Sequence, residues 1–168
     1  MAVGLPINAG SPILAATIAA IAPISIIKQA DESVTSSTVM QNDNELVLNL
    51  PTINAQYLFA LFLDYEGGTQ GSSDIKWQFT VPSGAALRYT GAWIGTGGGA
   101  VTGTLNSAGT VQNAGSSGAG NTHGILAVGT LQVATTTGTI QLQWAQNTSS
   151  GTATIVHAQS FIAMWRII

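Results

Sequence analysis

Cysteine is absent from this 168-residue chain. That excludes disulfide frameworks, thiolate zinc sites and cysteine nucleophiles. A chain of this length buries roughly 70% of its extended surface without such staples. Charge is nearly absent as well. Four Lys and Arg with seven Asp and Glu make up 7% of the residues, against about 25% in an ordinary soluble domain. With a net charge of −3 and a pI near 5.0, no basic patch exists to hold phosphates, which excludes a nucleic-acid partner. So little charge means little self-repulsion, which favours association with copies or partners. Hydrophobic residues account for 45%, too many for a disordered chain. No apolar run is long enough to cross a bilayer, so no membrane partner is expected. No repeat of fixed period marks a solenoid or propeller.

What the chain does have begins with an uncharged stretch. Residues 1–27 carry no ionisable side chain and are punctuated by Pro6, Pro12 and Pro23. Ile13 to Ala22 has a helical composition, yet ten helical residues would reach only about 15 Å, half a bilayer core. The first cation is Lys28, beyond the apolar stretch, so the basic start of a secretory signal is missing. Residues 1–27 are expected to form an extended or short-helical attachment arm, with Ile13, Leu14, Ile18, Ile21 and Ile24 as its apolar contacts. Residues 28–168 form the second unit.

From residue 28 the apolar period becomes two. Leu46, Leu48 and Leu50 share one face before Pro51 ends the run, and Ile75, Trp77, Phe79 and Val81 alternate with Lys76, Gln78 and Thr80. A turn at Pro82-Ser83-Gly84 leads to Leu87, Tyr89, Gly91 and Trp93. Ile140, Leu142 and Trp144 alternate with Gln141 and Gln143, and Thr154 to Ile168 reads as one long final strand. Tyr57 to Tyr65 and Phe161 to Ile168 are apolar on both faces, as strands covered on two sides would be. The pattern predicts an all-β, antiparallel sandwich. Gly95 to His123 is built mainly of Gly, Ala, Ser, Thr and Asn, and is expected to project as a weak hairpin around Asn106-Ser107-Ala108-Gly109.

No catalytic pattern emerges. His123 and His157 are too few for a histidine-rich metal site, and the glycine run at Gly95 lacks the following helix of a dinucleotide loop. The carboxylate pairs Asp31/Glu32, Asp43/Glu45 and Asp64/Glu66 read as solvated turn residues; Asn42 to Glu45 lacks the length and glycine of a calcium loop. Trp77, Trp93 and Trp144 are expected in a core or subunit interface, Trp93 being the least secure beside the glycine loop. The expectation is a protein without cofactor, metal or enzymatic activity.

Particular wording then adds to this reading. Gln29 to Thr38 (QADESVTSST), Asn42 to Leu46 (NDNEL), Trp77 to Ala85 (WQFTVPSGA), Leu142 to Thr148 (LQWAQNT) and Ser160 to Ile167 (SFIAMWRI) resemble a family of small virion proteins of tailed bacteriophages. The similarity covers about residues 28–168. It implies a jelly-roll β-sandwich similar to the tumour-necrosis-factor-like trimer, displayed on the capsid surface after synthesis in the bacterial cytoplasm. The expected role is then capsid decoration, or cement: a homotrimer whose arm, through Ile13, Leu14, Ile18, Ile21 and Ile24, docks on the major capsid protein lattice. Tyr57, Phe59, Phe161, Met164 and Trp165 are the expected trimer contacts. The alternative is a tail-fibre or tail-tip module that binds a host-surface glycan; a glycan hydrolase would need a carboxylate pair converging in a cleft.

Overall fold

The computed structural model describes residues 22–68 and 74–167. The strands, in chain order, are β1 (Ile24–Ile27), β2 (Glu32–Val34), β3 (Gln41–Leu50), β4 (Gln56–Glu66), β5 (Ile75–Thr80), β6 (Ala86–Ile94) and β7 (Ala100–Thr102). They continue as β8 (Asn106–Ser107), β9 (Gln112–Ala114), β10 (Thr122–Gln132), β11 (Gly138–Gln146), β12 (Thr154–Val156) and β13 (Phe161–Arg166). No helix occurs among the described residues.

Alternating side chains give each strand one buried face, and two such faces close on each other. The larger sheet has nine strands, with β1, β13, β4, β10, β6 and β7 in that order; β2 and β12 join near the end of β4, and β8 lies beside β6. The smaller sheet runs β3, β11, β5, β9. Every pairing is antiparallel. The protein is therefore an all-β antiparallel sandwich. Three nested pairings, β1 with β13, β3 with β11 and β4 with β10, follow the wrapping of a jelly roll. The innermost pair departs from it. β5 and β6 are joined by a tight turn in which the Ala85 N–H donates to Pro82 O at 3.0 Å, yet they enter opposite sheets.

Aromatic rings fill the space between the layers. Phe79 meets Phe59 edge-on at 5.1 Å and Tyr89 at 5.7 Å, and Trp77 meets Trp93 edge-on at 5.4 Å. Leu46, Leu50, Ile140, Leu142, Trp144, Ile162 and Met164 complete this core. Two glycines allow β6 and β10 to approach closely. A Cβ on Gly129 would lie 2.0 Å from Arg88 O and 2.7 Å from Tyr89 Cα, and one on Gly91 would lie 2.1 Å from Leu126 O. These are backbone atoms held in the ladder, so they cannot yield separately. Gly129→Ala is expected to cost about 3 kcal/mol, at the upper end of overpacking penalties. The check is urea unfolding, in which the midpoint falls; an unmoved midpoint would refute the steric account.

Three expectations need correction. The glycine-rich segment does not project as a hairpin. A turn does form where expected, with the Thr110 N–H donating to Ser107 O at 3.2 Å. Its two sides go to different sheets: β7 and β8 pair with β6, whereas β9 pairs with β5. Small side chains carry no periodic signal, but their backbone N–H and C=O groups still need partners, and the edges of β5 and β6 supply them. The final strand is broken at residues 157–160 into β12 and β13, and Gln159 takes a φ of 70° there. Finally, β1 belongs to the sandwich. Ile24 lies opposite Met164 and Ile26 opposite Ile162, both packing against the core. The separable arm therefore ends before Ile24, which is a sheet residue. Ile13, Leu14, Ile18 and Ile21 lie outside the described residues.

Candidate functional site

The register of the larger sheet defines what its outer face presents. Side chains that point away from the core fall into rows across the strands. One row is Arg88, Thr130, Leu58 and Trp165, running β6, β10, β4, β13. The next is Thr90, Val128, Ala60, Ala163 and Ser25, and the third is Ala92, Leu126, Phe62, Phe161 and Ile27. Beyond it, Asp64 lies opposite Gly124. Leu126 keeps 51% of its surface exposed and Leu58 47%, and Ile27, Val128 and Trp165 are similarly open. Phe62 and Phe161 stack at 6.0 Å across β4 and β13. This is a continuous apolar band on a sheet, with a cation at one corner and a carboxylate at the far end. Contiguous exposed apolar surface of this kind marks an association site.

The expected interface residues divide across the two sides of that sheet. Tyr57, Phe59 and Met164 point inward and are almost completely buried within the single subunit, so their side chains offer nothing to a neighbour. Phe161 and Trp165 lie on the outer face. The phase differs for three of the five because strands apolar on both faces carry no alternation to fix it. Leu58, Phe62, Leu126, Val128 and Ile27, missed in the sequence, are the residues that share the face.

A second cluster holds the root of β1. Lys28 is 1% exposed, and its Nζ donates to both oxygens of Asp43 and to Glu32 Oε2, each at 3.0 Å. Glu45 Oε1 lies 3.9 Å from the same nitrogen. Asp43 also accepts from Trp144 Nε1 at 3.2 Å and from the N–H groups of Glu45 and Leu46 at 3.0 and 2.8 Å. Burial alone would lower the Lys28 pKa, but its hydrogen bonds to Asp43 and Glu32, with their charges, leave it raised. Asp43 and Glu45 are thus not a solvated pair: the Lys28 ammonium lies between them. Backbone bonds secure the same root: Lys28 N–H donates to Ser160 O and Gln159 N–H to Lys28 O, both at 2.8 Å.

The two histidines, Asp31, Glu66 and Tyr65 have structural partners. His157, in the break after β12, sets Nδ1 3.3 Å from Asp31 Oδ2. Asp31 accepts the Ala158 N–H at 2.8 Å, and this bond, with the His157 contact, holds its carboxyl below the usual range. His123 Nε2 accepts the Ser117 N–H at 3.0 Å, and Glu66 Oε1 accepts that of Gly120 at 2.7 Å. Tyr65 donates to Gly115 O, and burial raises its pKa, as it does that of Tyr89. Trp77, Trp93 and Trp144 are core residues, with Trp93 Nε1 donating to Asn113 O at 3.1 Å; Trp165 alone of the four is open. No group of three His, Asp or Glu among the described residues is arranged to hold a metal.

No family model matches the chain, and no curated protein matches it. Among solved structures it is similar to the infectious bursal disease virus Gt strain, at 14% identity and a TM-score of 0.23 over 87% of this chain and 42% of that one. The VP2 subviral particle of the same virus gives 14% and 0.23 over 88% and 41%. The Gx strain gives 13% and 0.24 over 88% and 40%. The chain spans about two fifths of the length of these structures. Superpositions this loose carry no argument, and the fold rests on the strand pairing described above.

Proposed function

We propose that this chain is a virion structural protein: a homotrimeric capsid decoration (cement) protein on a tailed-phage head, anchored by the uncharged segment before β1. The observation that carries the reading is the apolar outer face of the larger sheet. A lone subunit leaves that band in water, and burying it against copies gains roughly 25 cal/mol per Å². β1 forms the edge of the same sheet, and the Lys28 cluster fastens it, so the preceding segment leaves from a rigid point. Three such segments on one trimer would multiply a weak contact with the major capsid protein lattice through effective concentration. The reading requires no catalytic group, cofactor, nucleic acid or membrane.

The test is binding to heads stripped of decoration. The full chain is expected to saturate them in proportion to the lattice. A chain lacking residues 1–21 is expected to remain a folded trimer and to bind roughly 100-fold more weakly or worse, as loss of three linked contacts demands. Equal binding by the shortened chain would contradict the anchoring role. Binding confined to a few tail copies, with competition for host adsorption, would favour a glycan-binding tail module instead.

A further inference from the structure

Resting on the reading of the outer face as a self-association surface, we infer that Arg88 and Asp64 set its register, Arg88 of one copy pairing with Asp64 of the next across the apolar band. Both project from the same face of the larger sheet, Arg88 opposite Thr130 and Asp64 opposite Gly124 on β10. Six residues of β10 separate these positions, about 20 Å at some 3.3 Å per residue. The two cannot meet within one subunit. Arg88 is exposed, and it is the only cation in the three rows. Neither its guanidinium nor the Asp64 carboxylate has a side-chain partner among the described residues; Asp64 uses only its backbone, whose N–H donates to Ser160 Oγ at 2.9 Å and whose carbonyl accepts from His157 N–H at 2.9 Å. Glu66, the next outward carboxylate on β4, is by contrast occupied by the Gly120 N–H.

The occupant this arrangement fits is a second copy of the chain. A flat apolar band sliding over a neighbouring copy has little to choose one offset from another. Opposite charges at its two ends supply that choice: the matched offset joins Arg88 to Asp64, whereas other offsets strand them against apolar surface. In a protein with four cations and seven carboxylates, few other charges compete for the role.

Charge reversal tests the register by sedimentation equilibrium of the full chain, with thermal unfolding confirming that each variant is folded. Arg88→Asp and Asp64→Arg are each expected to weaken self-association at least tenfold. The double variant, which restores opposite charges with exchanged positions, is expected to return to within about threefold of the parent protein. If reversal prevents folding, Arg88→Gln and Asp64→Asn replace it; each is expected to weaken association about threefold, and their combination no further. A double variant as weak as the two single effects combined, or single variants that associate normally, would overturn the register while leaving self-association standing. A parent protein that remains a single subunit would overturn both.

Discussion

Leu126→Asp is expected to convert the proposed trimer into folded single subunits. In one subunit this side chain is half-exposed in the third row of the band, between Ala92 and Phe62, so an aspartate there stays solvated and folding changes by about 0.5 kcal/mol or less. In the proposed trimer the same carboxylate would be stripped of water against apolar neighbours. That penalty is about 4 kcal/mol, which weakens association roughly a thousandfold. Sedimentation velocity reads the mass, and the unfolding midpoint reads the fold. An intact trimer would remove Leu126 from the interface. Phe161→Asp makes the same point less cleanly, since Phe161 also stacks on Phe62 within the subunit.

Lys28→Met is expected to cost about 3–5 kcal/mol of folding stability, the range for removing one partner of a buried ion pair. The methionine fits the space of the aliphatic stem but leaves Asp43 and Glu32 sharing negative charge with no ammonium between them. Combining it with Asp43→Asn is expected to cost much less than the two single changes together, because the carboxylate that lost its partner is gone. The pH dependence follows from the direction of the shift. The Lys28 pKa in the folded protein lies above its ordinary 10.5, so its contribution is complete below that value and fades only as pH rises through the folded pKa. The stability gap between the parent protein and Lys28→Met should be constant near neutrality and shrink in strong alkali. A gap under 1 kcal/mol at neutral pH, measured by urea unfolding, would mean the cluster contributes little.

Much of the sandwich was legible because half-buried strands write their phase into the sequence. Ile75, Trp77 and Phe79, and likewise Ile140, Leu142 and Trp144, alternate with polar residues and are buried as expected. The same rule failed where both phases are apolar. In β4 and β13 only the neighbouring strands decide which side faces the core, so Tyr57, Phe59 and Met164 could not be told from Leu58, Phe62 and Trp165. The glycine-rich segment was illegible for another reason. Its order comes from backbone hydrogen bonds such as Gly109 N–H to Phe79 O at 2.9 Å and Gly115 N–H to Ile94 O at 2.8 Å, which leave no side-chain pattern. Lys28 did leave a signal: a lone cation at the end of an apolar stretch, with Glu32, Asp43 and Glu45 soon after it. The solvated-turn reading of those carboxylates hid it. The break at Gln159 contains neither glycine nor proline, so nothing in the sequence marked it.

In the proposed assembly, sister chains cover the open side of the larger sheet. Native mass spectrometry of the full chain at micromolar concentration, paired with hydrogen exchange along β4, β10 and β13, addresses it most directly. A three-subunit mass is expected, together with slower exchange on these strands in the parent protein than in Leu126→Asp. A single-subunit mass, with identical exchange in the two proteins, would contradict it.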